Sequence, residues 1–220
     1  MANRVWIVDD EPLIRTAMIA VLSEVGHEVR GFARSAERVT AAGVALDDVV
    51  IGDAVSGAGL GRALDGVDAA YYLIHSMEGP VDGFAAAEQR AARRFATAAR
   101  AAGVRRIVYL GGIVPENAAT SRHLASRLAV EEALLAAAPE AIALRASIVI
   151  GARSRSFRFL VRLIERLPVL ALPAWRDHRT QPIDGRDVLS FLVAAADAPA
   201  ALAGRSWDIA GPDVMTYQRL

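Results

Sequence analysis

Residues 4–12 read Arg4-Val5-Trp6-Ile7-Val8-Asp9-Asp10-Glu11-Pro12: an apolar run, three carboxylates, and a proline that opens a helical stretch. The run has the length and apolar content of a buried strand, and proline is at home in the first helical position. In a strand-to-helix turn of this kind, glycine lets main-chain N–H groups close on a phosphate at the helix N-terminus. Here no glycine stands anywhere between Asp9 and Val25. Three carboxylates at that turn repel phosphate and attract a cation instead.

Outward from this turn the same alternation repeats. Apolar runs at 27–33, 48–52, 69–75, 106–111 and 141–150 follow the run at 4–9, and nearly every residue in them is apolar, as in strands covered on both faces. Between them, 12–25, 59–64, 81–102 and 121–137 carry helical periodicity and end at Gly, Pro or charged turns. Strand–helix alternation with crossovers of this length predicts an α/β fold: a doubly wound, mainly parallel sheet of the Rossmann type with helices on both faces. Residues 1–151 form the predicted core. Residues 152–220 read as a small substrate-side region of the same domain, with an Arg-rich helix (154–166), a Pro-rich passage (167–182), a helix (185–196) and a short strand (206–210). Thr216 reads as the cap of a helix that is just beginning.

Composition narrows the chemistry. The chain of 220 residues balances 25 basic against 25 acidic side chains, so no global field draws it to nucleic acid or an anionic membrane. No stretch of eighteen apolar residues and no signal-like leader occurs, so the expected location is the cytoplasm. There is no cysteine, hence no disulfide, thiol nucleophile or zinc-thiolate site. All 25 basic residues are arginine. The absence of lysine removes Schiff-base chemistry, the P-loop lysine and any lysine general acid.

Several segments together carry a resemblance. They are Gly26-His-Glu-Val-Arg-Gly-Phe-Ala-Arg34, Val50-Ile-Gly-Asp53, Leu64-Asp-Gly-Val-Asp-Ala-Ala-Tyr-Tyr-Leu-Ile-His-Ser-Met77, Arg106-Ile-Val-Tyr-Leu-Gly-Gly112 and Leu144-Arg-Ala-Ser-Ile-Val-Ile-Gly151. Gln181-Pro-Ile183 with Asp187-Val188 extends the pattern. From about residue 26 to 217 the chain resembles the atypical short-chain dehydrogenases/reductases with an NmrA-like NAD(P)-binding domain. The resemblance implies that Arg34 meets the adenosine ribose or its 2′-phosphate, favouring NADP over NAD. It implies that Asp53 and Ala54 lie against the adenine, that Leu73, Ile74 and His75 line the middle of the cofactor, and that Gly111 and Gly112 stand near the nicotinamide. Each also has a plainer reading: Arg34 as a solvated charge, Asp53 as a turn former, His75 as a core histidine, the two glycines as loop.

The chain departs from that family at two places. The glycine fingerprint after the first strand is missing, and so is the Tyr-x-x-x-Lys pair. In its place stands His123-Leu-Ala-Ser126-Arg127-Leu-Ala-Val-Glu131. His123 transfers protons readily at neutral pH, and Arg127 suits a ribose hydroxyl or phosphate, so these two are the catalytic candidates. The plainer reading is a helix face with Arg127–Glu131 as an i,i+4 ion pair. Weak or lost oxidoreductase activity is expected, toward a small carbonyl or quinone if any.

The opening segment, Val5 to Val29, resembles a different family, the receiver domains of response regulators. That resemblance implies a Mg²⁺ held by Asp9 and Asp10 beside a phospho-accepting Asp53, in a signalling or interaction module. The lysine that such receivers need has no counterpart here. Strand order discriminates: in the receiver order strands one and three are neighbours, whereas in the reductase order strand two separates them. The reading adopted is a receiver-like first strand and helix, of engineered or natural origin, seated in a reductase-like fold.

Three further features stand out. Arg158, Arg162 and Arg166 share a helix face, with Arg153 and Arg155 nearby and Glu165 as a balancing charge. Tyr71, Tyr72, Phe157, Phe159 and Trp175 could wall an apolar pocket or simply pack the core. The helix bearing Asp82, Glu88 and Arg94 implies, by the resemblance, a homodimer contact.

Overall fold

The computed structural model describes residues 4–9, 12–37, 46, 48–74, 81–114, 122–151, 154–166 and 177–220. Its elements run β1 (Arg4–Asp9), α1 (Pro12–Glu24), β2 (Glu28–Ala33), β3 (Asp48–Ile51), α2 (Leu60–Leu64), β4 (Ala69–Leu73), α3 (Val81–Ala101), β5 (Arg106–Gly112), α4 (Arg122–Leu135) and β6 (Ile142–Ala146). There follow β7 (Val149–Ile150), α5 (Arg155–Arg166), β8 (Arg179–Thr180), β9 (Ile183–Asp184), α6 (Gly185–Ala196), β10 (Arg205–Ile209) and β11 (Met215–Thr216).

Seven strands make one sheet in the order β10-β6-β5-β4-β1-β2-β3, every neighbouring pair parallel. The chain winds outward from β1 through β2 to β3, then crosses back to β4 and winds the other way. The reversal falls between β1 and β4, the switch point at which open α/β sheets hold ligands. The expected doubly wound sheet is thus the observed one.

Side chains alternate between two cores, as strand geometry requires. Trp6, Tyr72, Ile107 and Tyr109 face α2, α3 and α4, where the Trp6 ring stacks on Phe95 at 5.2 Å and meets Phe32 at 5.5 Å. Val5, Ile7, Tyr71, Leu73, Val108 and Leu110 face α1 and α6, against Met18, Leu22, Val188 and Leu192. Tyr71 and Tyr72 are fully buried on opposite sides of the sheet, so neither walls a pocket; Tyr71 donates its hydroxyl to the Leu192 carbonyl at 2.8 Å. Trp175 lies outside the described residues, as does the side chain of Phe159.

Two boundaries differ from the expectation. The apolar run 141–150 is not one strand: β6 ends at Ala146 and β7 pairs with β9 in a separate two-stranded sheet. The chain turns away at Ser147, whose hydroxyl meets that of Thr180 at 2.8 Å. At the other end, residues 205–209 return to the main sheet as its edge strand beside β6. The last residues form a single helical turn, with Leu220 N donating to Thr216 O.

Candidate cofactor site

The carboxyl ends of β1, β2, β3, β4 and β5 lie along one edge of the sheet. β1 ends at Asp9, paired in register with Leu73 of β4. Asp10, Glu11 and His75 lie outside the described residues, as does the side chain of Asp9. Because β2 intervenes, Asp9 and the end of β3 are two strand spacings apart, about 10 Å. A Mg²⁺ with ligands near 2.1 Å does not span that gap, so the receiver-like grouping of Asp9, Asp10 and Asp53 loses its geometric basis. Among the described residues no group of three or more His, Asp or Glu could hold a metal ion.

Asp53 follows β3 and organises a tight loop. Its Oδ1 accepts from Val55 N at 2.7 Å, its carbonyl accepts from Gly57 N at 2.8 Å, and its own N donates to Ala58 O at 2.9 Å. Gly57 and Gly59 hold φ of 83° and 81°, which suits glycine alone. A Cβ at Gly52 would strike the Ala58 carbonyl and come within 2.6 Å of the Phe32 ring. The turn-forming reading of Asp53 therefore describes what its Oδ1 does, while the residue stays partly exposed at the strand tip. Ala54 is buried in the core beside Phe32 and Leu60. Arg94 of α3, which sequence reasoning linked only to a dimer contact, donates to the Val55 carbonyl and braces this loop.

Arg34, immediately after β2, is exposed and has no ion-pair or hydrogen-bond partner among the described residues. Leu73 is a core residue, and Ile74 packs at the rim of the opposite core. Gly112 faces open space at the end of β5. Gly111 is glycine for another reason: a Cβ there would lie 2.9 Å from the Tyr109 ring and 3.5 Å from the Glu131 carboxylate.

His123 and Arg127 sit on α4. The His123 side chain is outside the described set, and Arg127 is half-buried. Burial pushes the Tyr109 hydroxyl up to about 12, against the pull of the nearby Arg127 guanidinium. At 2% exposure Tyr109 is sealed from any substrate and stays protonated, so it does not stand in for the missing catalytic tyrosine. Glu131 is buried rather than exposed. Its buried carboxylate accepts from Arg145 Nη2 at 2.6 Å, from Arg145 Nε at 3.0 Å, and from Ser206 Oγ at 2.6 Å. Nearby, buried Ser126 donates to buried Glu88 of α3 at 3.2 Å. This network was not read from the sequence, although Arg145 inside an otherwise apolar strand signalled a buried partner.

The family described as NAD(P)H-binding matches residues 15–148, more than half of the chain, beginning after the acidic turn. A mitochondrial protein of Arabidopsis thaliana, NADH dehydrogenase [ubiquinone] 1 alpha subcomplex subunit 9, is 29% identical over 118 residues, 54% of this chain. The matched segment spans only 29% of that relative's length. Among solved structures, the Bordetella bronchiseptica enzyme WbmG in complex with NAD superposes with a TM-score of 0.78 at 18% identity, covering 100% of this chain and 76% of that one. A short-chain dehydrogenase/reductase superfamily protein from Agrobacterium tumefaciens with bound NAD gives 0.75 at 21% identity, covering 99% and 80%. Strand order, switch point and family match agree: this chain has the doubly wound Rossmann-type fold and belongs to the NAD(P)H-binding family.

Proposed function

We propose that the chain holds NADP(H) chiefly by its adenosine half, with a weakened grip on the pyrophosphate, and that its oxidoreductase activity is correspondingly slight. The observation that carries this reading is the position of the acidic turn. β1 ends at Asp9 at the switch point of the sheet and α1 begins at Pro12, so the connection near which a dinucleotide's phosphates would approach carries the acidic sequence Asp9-Asp10-Glu11. That sequence holds no glycine to bare its backbone, and each carboxylate near a phosphate would oppose binding by about 4 kcal/mol at 4 Å in partly screened surroundings.

The adenosine side fits better. Arg34 offers an uncommitted guanidinium at the end of β2, suited to a 2′-phosphate, and Asp53 keeps an exposed edge at the end of β3. The NmrA-like resemblance supports the same two placements. A bound nicotinamide would supply hydride chemistry toward a small carbonyl or quinone. Of this chain's own residues, His123 would move the proton and Arg127 would orient the ribose. Both roles rest on the His-x-x-x-Arg spacing at the place of the family's Tyr-x-x-x-Lys pair.

Calorimetric titration with NADPH and NADH tests the proposal. Saturable NADPH binding that weakens in Arg34→Ala, with NADH binding unchanged by that substitution, is the expected result. Absence of saturable binding at millimolar nucleotide would refute cofactor use.

A further inference from the structure

We propose that Glu131, Arg145 and Ser206 form a clamp that fixes the rotation of α4 and so sets how Arg127, one turn earlier on that helix, is presented. The three belong to different elements: Glu131 to α4, Arg145 to β6, Ser206 to the edge strand β10. Arg145 grips the carboxylate through both Nε and Nη2, and Ser206 adds a third donor. The Glu131 side chain is only 5% exposed. Gly111, paired with Arg145 in register, leaves room on β5 for that carboxylate.

The geometry is directional. Positions 123, 127 and 131 are spaced by four, so they form one stripe of the helix. A rotation of α4 by one residue, about 100°, would carry the carboxylate off the planar fork and turn the stripe away. Burying such a pair adds little stability relative to apolar residues of similar size, so its value lies in orientation. Arg127, one turn earlier on the same stripe, lies against Tyr109.

The test uses the full chain, whose lack of cysteine lets spin labels be placed at will. Labels at Glu132→Cys on α4 and Ser190→Cys on α6 report across the sheet, both positions being exposed. In the Glu131→Met/Arg145→Met variant the distance distribution should broaden at least twofold while the melting temperature holds or rises. Arg145→Lys, which keeps the charge and loses the fork, should fall between. An unchanged width, or broadening only together with a lowered melting temperature, overturns the clamp.

The link to residue 127 rests on the proposed cofactor reading and is scored separately. Arg127→Ala and the Met/Met pair should each weaken NADPH binding about tenfold, with no further loss when combined; additive losses would show that the clamp does not act through Arg127. If the unsubstituted chain binds no NADPH, the cofactor reading fails and the label widths alone decide the clamp.

Discussion

The two edges of the sheet use the same side chain for opposite purposes. At the amino edge, arginines are consumed by the carbonyls that helix C-termini leave open. Arg106 donates to Ala195, Ala196 and Ala198 at the end of α6, Arg30 to Arg62, Ala63 and Asp65 at the end of α2, and Arg100 to Ala136 beyond α4. At the carboxyl edge, where helix N-termini favour anions, Arg34 is exposed and has no partner among the described residues. In a chain whose only cation is arginine, residue type does not separate scaffold from site. Geometry does: a guanidinium locked on carbonyls is structure, and one left open beside the ligand edge is available for recognition. β1 ends at that same carboxyl edge in the acidic sequence Asp9-Asp10-Glu11.

Substitutions at the two edges should therefore separate stability from binding. The largest effect is expected at the amino edge. Arg106→Met leaves the Ala195, Ala196 and Ala198 carbonyls without this donor and the Glu140 carboxylate with Arg105 alone, and urea unfolding should show a loss of about 3–5 kcal/mol. NADPH binding by the fraction still folded should not change. A variant that kept its stability would erase the contrast between the edges.

Next comes the acidic turn. Asp9→Gly/Asp10→Gly/Glu11→Gly should tighten NADPH binding at least tenfold, about 1.4 kcal/mol, while stability shifts by only about 1 kcal/mol. Arg34→Ala should cost NADPH affinity about tenfold and leave the unfolding midpoint within about 0.5 kcal/mol, as surface changes do. A destabilised Arg34→Ala would move that residue to the structural side of the comparison.

A smaller effect follows from acid. Hydrogen bonds from Arg106 and Arg105 hold the Glu140 carboxyl below its ordinary value of 4.5. A folded value below the unfolded one gives stability that is full above the ordinary value and lost as pH falls through the lowered one. Unfolding midpoints should drop on acidification through this range, and Glu140→Gln should flatten the drop. The smallest effect belongs to Trp6, whose indole N–H is buried without an acceptor among the described residues. Trp6→Phe removes that orphan donor at some loss of packing, and equilibrium unfolding should place it within about 1 kcal/mol of the parent.

The sheet was legible because its strands are covered on both faces and read as unbroken apolar runs between glycine and proline punctuation. Even the foreign-looking first strand obeys this rule, and Trp6 is fully integrated in the core through Phe32 and Phe95. What escaped the sequence was direction. The run 141–150 looks like one strand because β6 and β7 are both apolar, and only the Ser147–Thr180 contact shows where the chain leaves the sheet. Glu131 reads as a surface charge by its spacing from Arg127, yet a partner on β6 and another on β10 draw it inward. Gly111 reads as loop or as a residue near the nicotinamide, and the sequence gives no sign that Tyr109 and Glu131 fill the space its side chain would need. Such long-range pairings leave no periodic trace in the chain.

On the reading proposed above, Asp9-Asp10-Glu11 stands where a phosphate cradle would be and limits cofactor binding. Paired calorimetric titrations of NADPH into the parent and the triple glycine variant test it most directly. At least tenfold tighter binding by the glycine variant is expected, with a parallel gain for NADH, which shares the pyrophosphate. Equal or weaker binding by the glycine variant would contradict it.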